Sequence, residues 1–108
     1  MSNEVRVCAD IDVAHHFGAG VYAKEIRVPK GKFIVQHKHK FDHLSVVASG
    51  AARVVVDGVV TEHVAPAVLT IKAHKHHAVE AMQDLVWLCI HATDETDPDT
   101  VDHEVTEA

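Results

Sequence analysis

The sequence predicts an all-β protein whose strands form a sandwich or a closed barrel. Short runs rich in valine, isoleucine and threonine recur along the chain, separated by turn signals. No longer stretch shows a convincing helical period. With 108 residues and 47% hydrophobic content, the chain fits one domain with one core.

The first part of the chain contains three candidate elements. Residues 5–8 are a short strand candidate, and residues 15–20 are interpreted as a loop because small residues close the segment. Val21–Val28 alternates loosely between apolar and polar side chains, which predicts a strand. The sequence Pro-Lys-Gly at 29–31 is the turn signal that ends it.

The chain beyond residue 31 is predicted to be a series of short strands. The dipeptide Asp57-Gly58, flanked by β-branched residues, is typical of a two-residue hairpin turn. Pro66 interrupts the strand pattern, and Gln83-Asp84 is read as a turn. The predicted strands cover 33–39, 43–48, 52–56, 59–61, 67–72, 77–82 and 85–91.

A cluster of histidines carries the main functional signal. His37 and His39 are two residues apart, so in a strand both face the same side. His43 has the same parity, but four more residues of straight strand would carry it about 13 Å away. Donor atoms on one metal ion each lie about 2 Å from it, so the chain must bend between His39 and His43. A fourth candidate comes from the cluster that ends at His77, and spacing alone does not choose among its histidines.

The segment from Gly31 to Gly50 resembles the first motif of the cupin superfamily, G-x5-H-x-H-x3-4-E-x6-G. Gly31, His37, His39 and Gly50 stand at fixed positions of that motif. His43 stands where the usual glutamate would be, as it does in a subset of small cupins. The resemblance covers roughly residues 20–92, most of the chain.

The second cupin motif, G-x5-P-x-G-x2-H-x3-N, is only partly present in residues 71–81. Lys72, His74 and Ala81 replace its proline, glycine and asparagine, and His77 keeps the ligand position. Alignment on this motif therefore favours His77 over its neighbours as the fourth ligand.

The resemblance implies a single-domain cupin-type jelly-roll β-barrel over residues 1–92, with core motifs at 31–50 and 71–81. It also implies one divalent metal ion bound by His37, His39, His43 and His77. The remaining residues, 93–108, carry seven acidic side chains and no lysine or arginine, so we expect a solvated acidic tail. A partner-binding arm, or a strand exchanged with a neighbouring subunit, is the alternative for this tail.

Four neutral imidazoles would leave a divalent ion with its full charge of +2, which makes it a stronger Lewis acid than a glutamate-containing site. Imidazole suits Fe, Mn, Cu, Ni and Zn, so the sequence does not choose among them. An octahedral ion would keep two open positions for a substrate and dioxygen, or for a bidentate substrate. Similar four-histidine cupins imply dioxygenase-like oxidation of small enol or catechol-like compounds.

The alternative is a metal-supported ligand-binding, sensor or structural module without turnover. No general base is evident beside the histidines, which favours this second hypothesis, whereas four neutral ligands around a barrel cavity favour the oxidoreductase. Residues predicted to line the barrel, where simple packing or a position at the rim is the commoner role, are Tyr22, Lys24, Gln36, Phe41, Ser45, Met82 and Trp87.

The remaining histidines are predicted to lie outside the site. His91 follows an apolar strand and is either a surface residue at its end or a cavity residue, and the first interpretation is favoured. Those expected to face solvent or the rim are His15, His16, His63, His74, His76 and His103.

Two other metal-site patterns fit poorly. Metallo-β-lactamase-like hydrolases carry H-x-H-x-D-H, whereas here Asp42-His43 follows His39 with one residue too many. A Cys/His zinc finger is excluded because Cys8 and Cys89 are far from the histidine cluster and form no C-x2-4-C pair.

Composition limits the partners. A net charge of −6 argues against nucleic acid and anionic membranes, and no signal peptide or membrane-spanning run is present. Two cysteines without framework spacing favour a reduced, cytoplasmic protein. The expected partners are a small-molecule ligand in the barrel and, through exposed sheet edges, a second copy in a homodimer.

Overall fold

The computed structural model describes residues 11–36 and 40–93. Within these residues the secondary structure consists of nine β-strands and no helix. The strands are β1 Asp12–Gly18, β2 Val21–Val28, β3 Phe33–Gln36, β4 His43–Ser49, β5 Ala51–Val56, β6 Val59–Val64, β7 Ala67–Ile71, β8 His77–Ala81 and β9 Leu85–Ala92.

The strands form two antiparallel sheets. One has the order β1-β2-β9-β4-β7 and the other the order β3-β8-β5-β6. Each sheet turns alternate side chains inward, and a shared apolar cluster contains residues from both sheets, including Ile26, Trp87, Val54 and Val79. The predicted all-β jelly-roll architecture is therefore confirmed.

The predicted loop at 15–20 is wrong, because His15, His16 and Phe17 belong to β1. This strand pairs with β2 from Asp12↔Arg27 to Gly18↔Val21. Nearly all its side chains are exposed, so the apolar alternation that marks a half-buried strand is missing from its sequence.

The turns follow the sequence signals closely. Asp57 and Gly58 both have positive φ, 46° and 83°, which is the backbone of a two-residue hairpin between β5 and β6. A bend at residues 40–41 precedes β4, where the histidine spacing required the chain to turn. The predicted bend and hairpin are confirmed.

Gly50, between β4 and β5, has a structural role that no other residue can take. Its φ is +85°, and a Cβ at this position would lie 2.0 Å from the carbonyl oxygen of Asp84. The turn after β8 is therefore packed directly against the turn after β4. In sequence terms, this glycine is the last fixed position of the first motif.

Several predictions fall outside the described residues. These are the strand at 5–8, the positions of His37 and His39, and residues 94–108 of the tail. The domain boundary at residue 92 stays a prediction. Thr93, the last described residue, donates its backbone N–H to the carbonyl oxygen of Gly20 at 3.0 Å.

Candidate functional site

One end of the interior between the sheets is polar. The five buried polar or charged side chains among the described residues are Lys24 (2% exposed), His43 (4%), Ser45 (0%), His77 (2%) and His91 (6%). Lysine is rarely buried to this extent in proteins, and a cluster of buried polar groups marks a candidate functional site.

Strand alternation and register bring these side chains together. On β2, β9 and β4, every second residue faces the interior. Tyr22 is opposite His91, and Lys24 is opposite Cys89. Ser45 on β4 is also opposite Cys89, from the other side of β9. The polar side chains therefore form two adjacent rows across the five-stranded sheet.

His43 and His77 approach each other from different sheets. His43 begins β4 and is paired with Ile71, whereas His77 begins β8 and is paired with Val56. Their ring centroids are 6.0 Å apart. The Nε2 atom of His43 and both ring nitrogens of His77 are shielded from solvent. Two of the four predicted metal ligands thus share one buried space.

The prediction that His91 is a surface residue is wrong. Its side chain is buried, and its ring centroid lies 4.6 Å from that of His43. The missed signal was parity, since His91 has the same inward parity on β9 as Trp87 and Cys89.

Tyr22 lies between the buried histidines and the exposed edge strand β1. Its ring stacks on His91 at a centroid distance of 6.2 Å and on Phe17 at 4.8 Å. Its hydroxyl lies at hydrogen-bond distance, 2.7 Å, from Nδ1 of His15, which is exposed on β1. The buried site is therefore in contact with an ionisable group at the surface.

Cys89 lies in the second polar row. Its sulfur accepts a hydrogen bond from the indole N–H of Trp87 at 3.2 Å and a long one from the hydroxyl of Ser45 at 3.8 Å. These contacts join the polar rows to the apolar core, because Trp87 belongs to the apolar cluster.

Two aspartates hold the loop that precedes His77. Asp42 accepts the backbone N–H of Ala73 at 2.7 Å, and the amine of Lys72 lies 3.6 Å away. The hydrogen bond from Ala73, followed by the charge of Lys72, lowers the pKa of Asp42 against the opposing effect of burial. The loop is thereby tied to the residue that directly precedes His43.

The second aspartate contacts the other end of the same loop. Asp57, in the β5–β6 turn, lies 3.0 Å from the amine of Lys75. Its hydrogen bond with Lys75 is the main cause of its lowered pKa. These two contacts restrict the path of residues 72–76 and so help to fix the start of β8.

The predicted lining residues differ in their positions. Tyr22, Lys24 and Ser45 belong to the buried polar rows, whereas Trp87 is part of the apolar cluster. Phe41 is 59% exposed, so it does not line the buried interior. Met82 is half-buried.

The full four-histidine site is not seen in the described structure. Within residues 11–36 and 40–93, no group of three or more His, Cys, Asp or Glu side chains is arranged to hold a metal ion. His37 and His39 lie outside these ranges. The four-ligand set therefore stays a prediction, of which the structure describes only His43 and His77, as buried neighbours.

Comparison with solved structures identifies the class of fold. The chain is similar to a cupin superfamily protein from Desulfitobacterium hafniense, with a TM-score of 0.69, 21% identity and coverage of 80% of both chains. It is also similar to a predicted oxalate decarboxylase from Thermotoga maritima, with a TM-score of 0.69, 15% identity and coverage of 83% and 86%. The chain thus has the cupin-type jelly-roll fold.

A longer enzyme contains the same fold. Salicylate 1,2-dioxygenase from Pseudoaminobacter salicylatoxidans matches with a TM-score of 0.71 and 11% identity over 82% of this chain but only 26% of the enzyme. No protein-family model matches the sequence, and no curated protein matches it significantly. In the described part of the chain, no helix has the length and apolar character needed to cross a membrane.

Proposed function

We propose that this protein binds one divalent transition metal ion through His37, His39, His43 and His77 and uses it in dioxygenase-like oxidation of a small organic compound. The observation that carries the proposal is the burial of His43 and His77 on opposite sheets with ring centroids 6.0 Å apart.

The two described imidazoles suit a shared ion. A metal–nitrogen distance of about 2 Å puts a ring centroid about 3.2 Å from the ion, so two rings on one ion have centroids about 4.5 to 6.4 Å apart. The observed separation falls in this range. Imidazole ligates metals in its neutral form, and these ring nitrogens are shielded from solvent.

The surrounding residues would provide a dry and positively charged pocket. No carboxylate is among the buried side chains of the described residues, and Lys24 is buried in the same interior. A bound Fe, Mn, Cu, Ni or Zn ion would supply Lewis acidity, and the redox-active ones also electron transfer. Lys24 would favour an anionic substrate such as an enolate or catecholate, and Tyr22 would hold a proton that His15 can exchange with solvent.

The structural neighbours support a small organic acid as substrate. Two of them are named as a salicylate 1,2-dioxygenase and a predicted oxalate decarboxylase. Both names specify small carboxylates, which agrees with a buried lysine beside the candidate metal site. Fold likeness alone does not select the reaction, so the activity has to be measured.

Elemental analysis of untagged protein tests the proposal. We expect the wild-type protein to contain about one Fe, Mn or Cu ion per chain and to consume oxygen with catechol-like compounds. A His37→Ala/His43→Ala variant should lose the ion. A matched His16→Ala/His63→Ala variant should retain the ion, because His16 and His63 lie outside the buried cluster.

Two results would redirect the proposal. Stoichiometric zinc without oxygen consumption would support the alternative of a non-catalytic, metal-supported binding or sensor module. Absence of metal from the wild-type protein, even after reconstitution with divalent ions, would exclude the metal site.

A further inference from the structure

A groove lies at the open side of the sandwich. Strand β6 is at the edge of the four-stranded sheet, and β7 is at the edge of the five-stranded sheet. Between them is a cavity of about 380 Å³ lined by side chains of β5, β6 and β7 and of the loop after β7. This volume is within the range of small-molecule sites.

The floor of the groove is apolar and deep. Val54 and Ile71 are 1% and 3% exposed, and Val56 and Leu69 are half-buried beside them. On the β6 wall, Thr61 faces inward because it is paired with Val54. The groove therefore exposes part of the inner face that the edge strands leave uncovered.

The acidic and basic side chains are unequally represented along the groove. Two lysines, Lys72 and Lys75, line it, and no carboxylate is among the described residues that do so. Each lysine makes a solvent-exposed ion pair, with Asp42 and Asp57 respectively. Exposed pairs of this kind contribute little to stability, so a ligand carboxylate can compete for the lysines.

A second polar point lies on the β6 wall. Nε2 of His63 is 2.9 Å from the hydroxyl oxygen of Thr61, and both side chains line the groove. An apolar floor with a few polar groups on its walls is typical of small-molecule sites.

We propose that this groove binds a small amphiphilic monocarboxylate, with the apolar body over Val54, Leu69 and Ile71 and the carboxylate against Lys72 and Lys75. None of the groove residues is a predicted metal ligand, so this binding does not depend on the proposed metal chemistry. The two sites are adjacent, because Ile71 is paired with His43 and Val56 with His77.

Titration of 15N-labelled full-length protein with octanoate and with 1-octanol tests the proposal. We expect saturable amide shifts at groove residues, and tighter binding of octanoate than of octanol. The variant Lys72→Gln/Lys75→Gln should weaken octanoate binding by about 5-fold, as expected for two exposed charge contacts, and leave octanol binding unchanged.

Two further variants complete the test. Lys30→Gln/Lys32→Gln makes the same change in charge at exposed positions outside the groove and should have no effect on either probe. Thr61→Trp fills the groove from an exposed strand and should weaken both probes by more than about 10-fold while the circular dichroism stays that of wild type.

Three results of the titrations would overturn the proposal. These are the absence of saturable shifts, equal octanoate affinity in the groove-lysine variant and wild type, and shifts that map to another face. Sedimentation of wild type as a dimer and of Thr61→Trp as a monomer would also contradict it, because a second copy would then occupy the groove. If the groove variants retain metal, a change in their octanoate binding is due to the groove and not to loss of the proposed metal site.

Discussion

The two ends of the barrel interior are built from the same strands but differ in chemistry. On β2, the inward residues change from Tyr22 and Lys24 at one end to Ile26 and Val28 at the other. On β9 they change from His91 and Cys89 to Trp87 and Leu85. We call the first region the polar end and the second the apolar end. One continuous strand therefore contributes to the apolar core with one half and to a cluster of buried polar side chains with the other.

The two ends should contribute differently to stability. Full burial of a large aliphatic or aromatic side chain stabilises a protein by about 1.5 to 3 kcal/mol. A buried polar group loses its hydration, and its hydrogen bonds must first offset that loss before they add stability. We therefore expect the apolar end to contribute more to the stability of the fold than the polar end.

Trp87→Ala should cause the largest loss of stability. The side chain is fully buried in the apolar cluster, so its removal leaves a large cavity. We expect the free energy of unfolding, measured with urea, to fall by about 3 to 5 kcal/mol. Metal content per folded chain should stay at the wild-type level.

A milder variant at the same position can be measured even if Trp87→Ala does not fold. Trp87→Phe keeps an aromatic ring but removes the N–H that donates to Cys89. Its loss of stability should be smaller than that of Trp87→Ala. Equal losses in both variants would show that the hydrogen bond, and not the buried apolar volume, dominates at this position.

The apolar end was the more predictable of the two from sequence. Alternating β-branched and aromatic residues define most strands and their inward faces. Strand β1 was missed because its pairing with β2 depends on backbone hydrogen bonds, and its side chains carry no burial pattern. Backbone pairing of an exposed edge strand leaves almost no trace in sequence.

The polar end could be predicted only in part. Motif spacing selected His43 and His77, which the structure places 6.0 Å apart between centroids. Lys24 was a lining candidate, but its near-complete burial could not be foreseen, because lysine is almost always exposed. The approach of His91 to His43 depends on the β4–β9 register, which is a long-range pairing that local sequence does not encode.

His91→Phe tests the contribution of a polar-end side chain to stability. Phenylalanine is close in shape to histidine and removes two polar ring atoms from a buried place beside Tyr22 and His43. We expect the free energy of unfolding to change by less than about 1.5 kcal/mol, in contrast to Trp87→Ala. Since His91 is not in the proposed ligand set, elemental analysis should find the metal retained, whereas His43→Phe should lose it. Loss of metal in His91→Phe would make His91 a ligand.

The smallest expected effect is at the contact that orders the loop beside the polar end. The pKa of Asp42 is below its ordinary value of 3.8, mainly through the backbone N–H of Ala73. A lowered folded-state pKa means that the ionised carboxylate adds stability above pH 3.8, and that this stability is lost as the pH falls through the lowered value. Asp42→Asn should therefore be less stable than wild type at neutral pH, with a difference that narrows below pH 3.8.

Urea unfolding at neutral and acidic pH measures this difference, and Lys72→Gln is the matched control. The control removes the charge of Lys72 but keeps the bond from Ala73, which is the larger cause of the lowered pKa. It should therefore retain most of the pH dependence that Asp42→Asn loses. If both variants lose it equally, the ion pair with Lys72 and not the backbone bond holds the loop, and the polar end is fixed by surface charge. If only Asp42→Asn loses it, the hydrogen bond between Asp42 and the backbone of Ala73, and not the ion pair with Lys72, holds the loop after β7 against the residue that precedes His43.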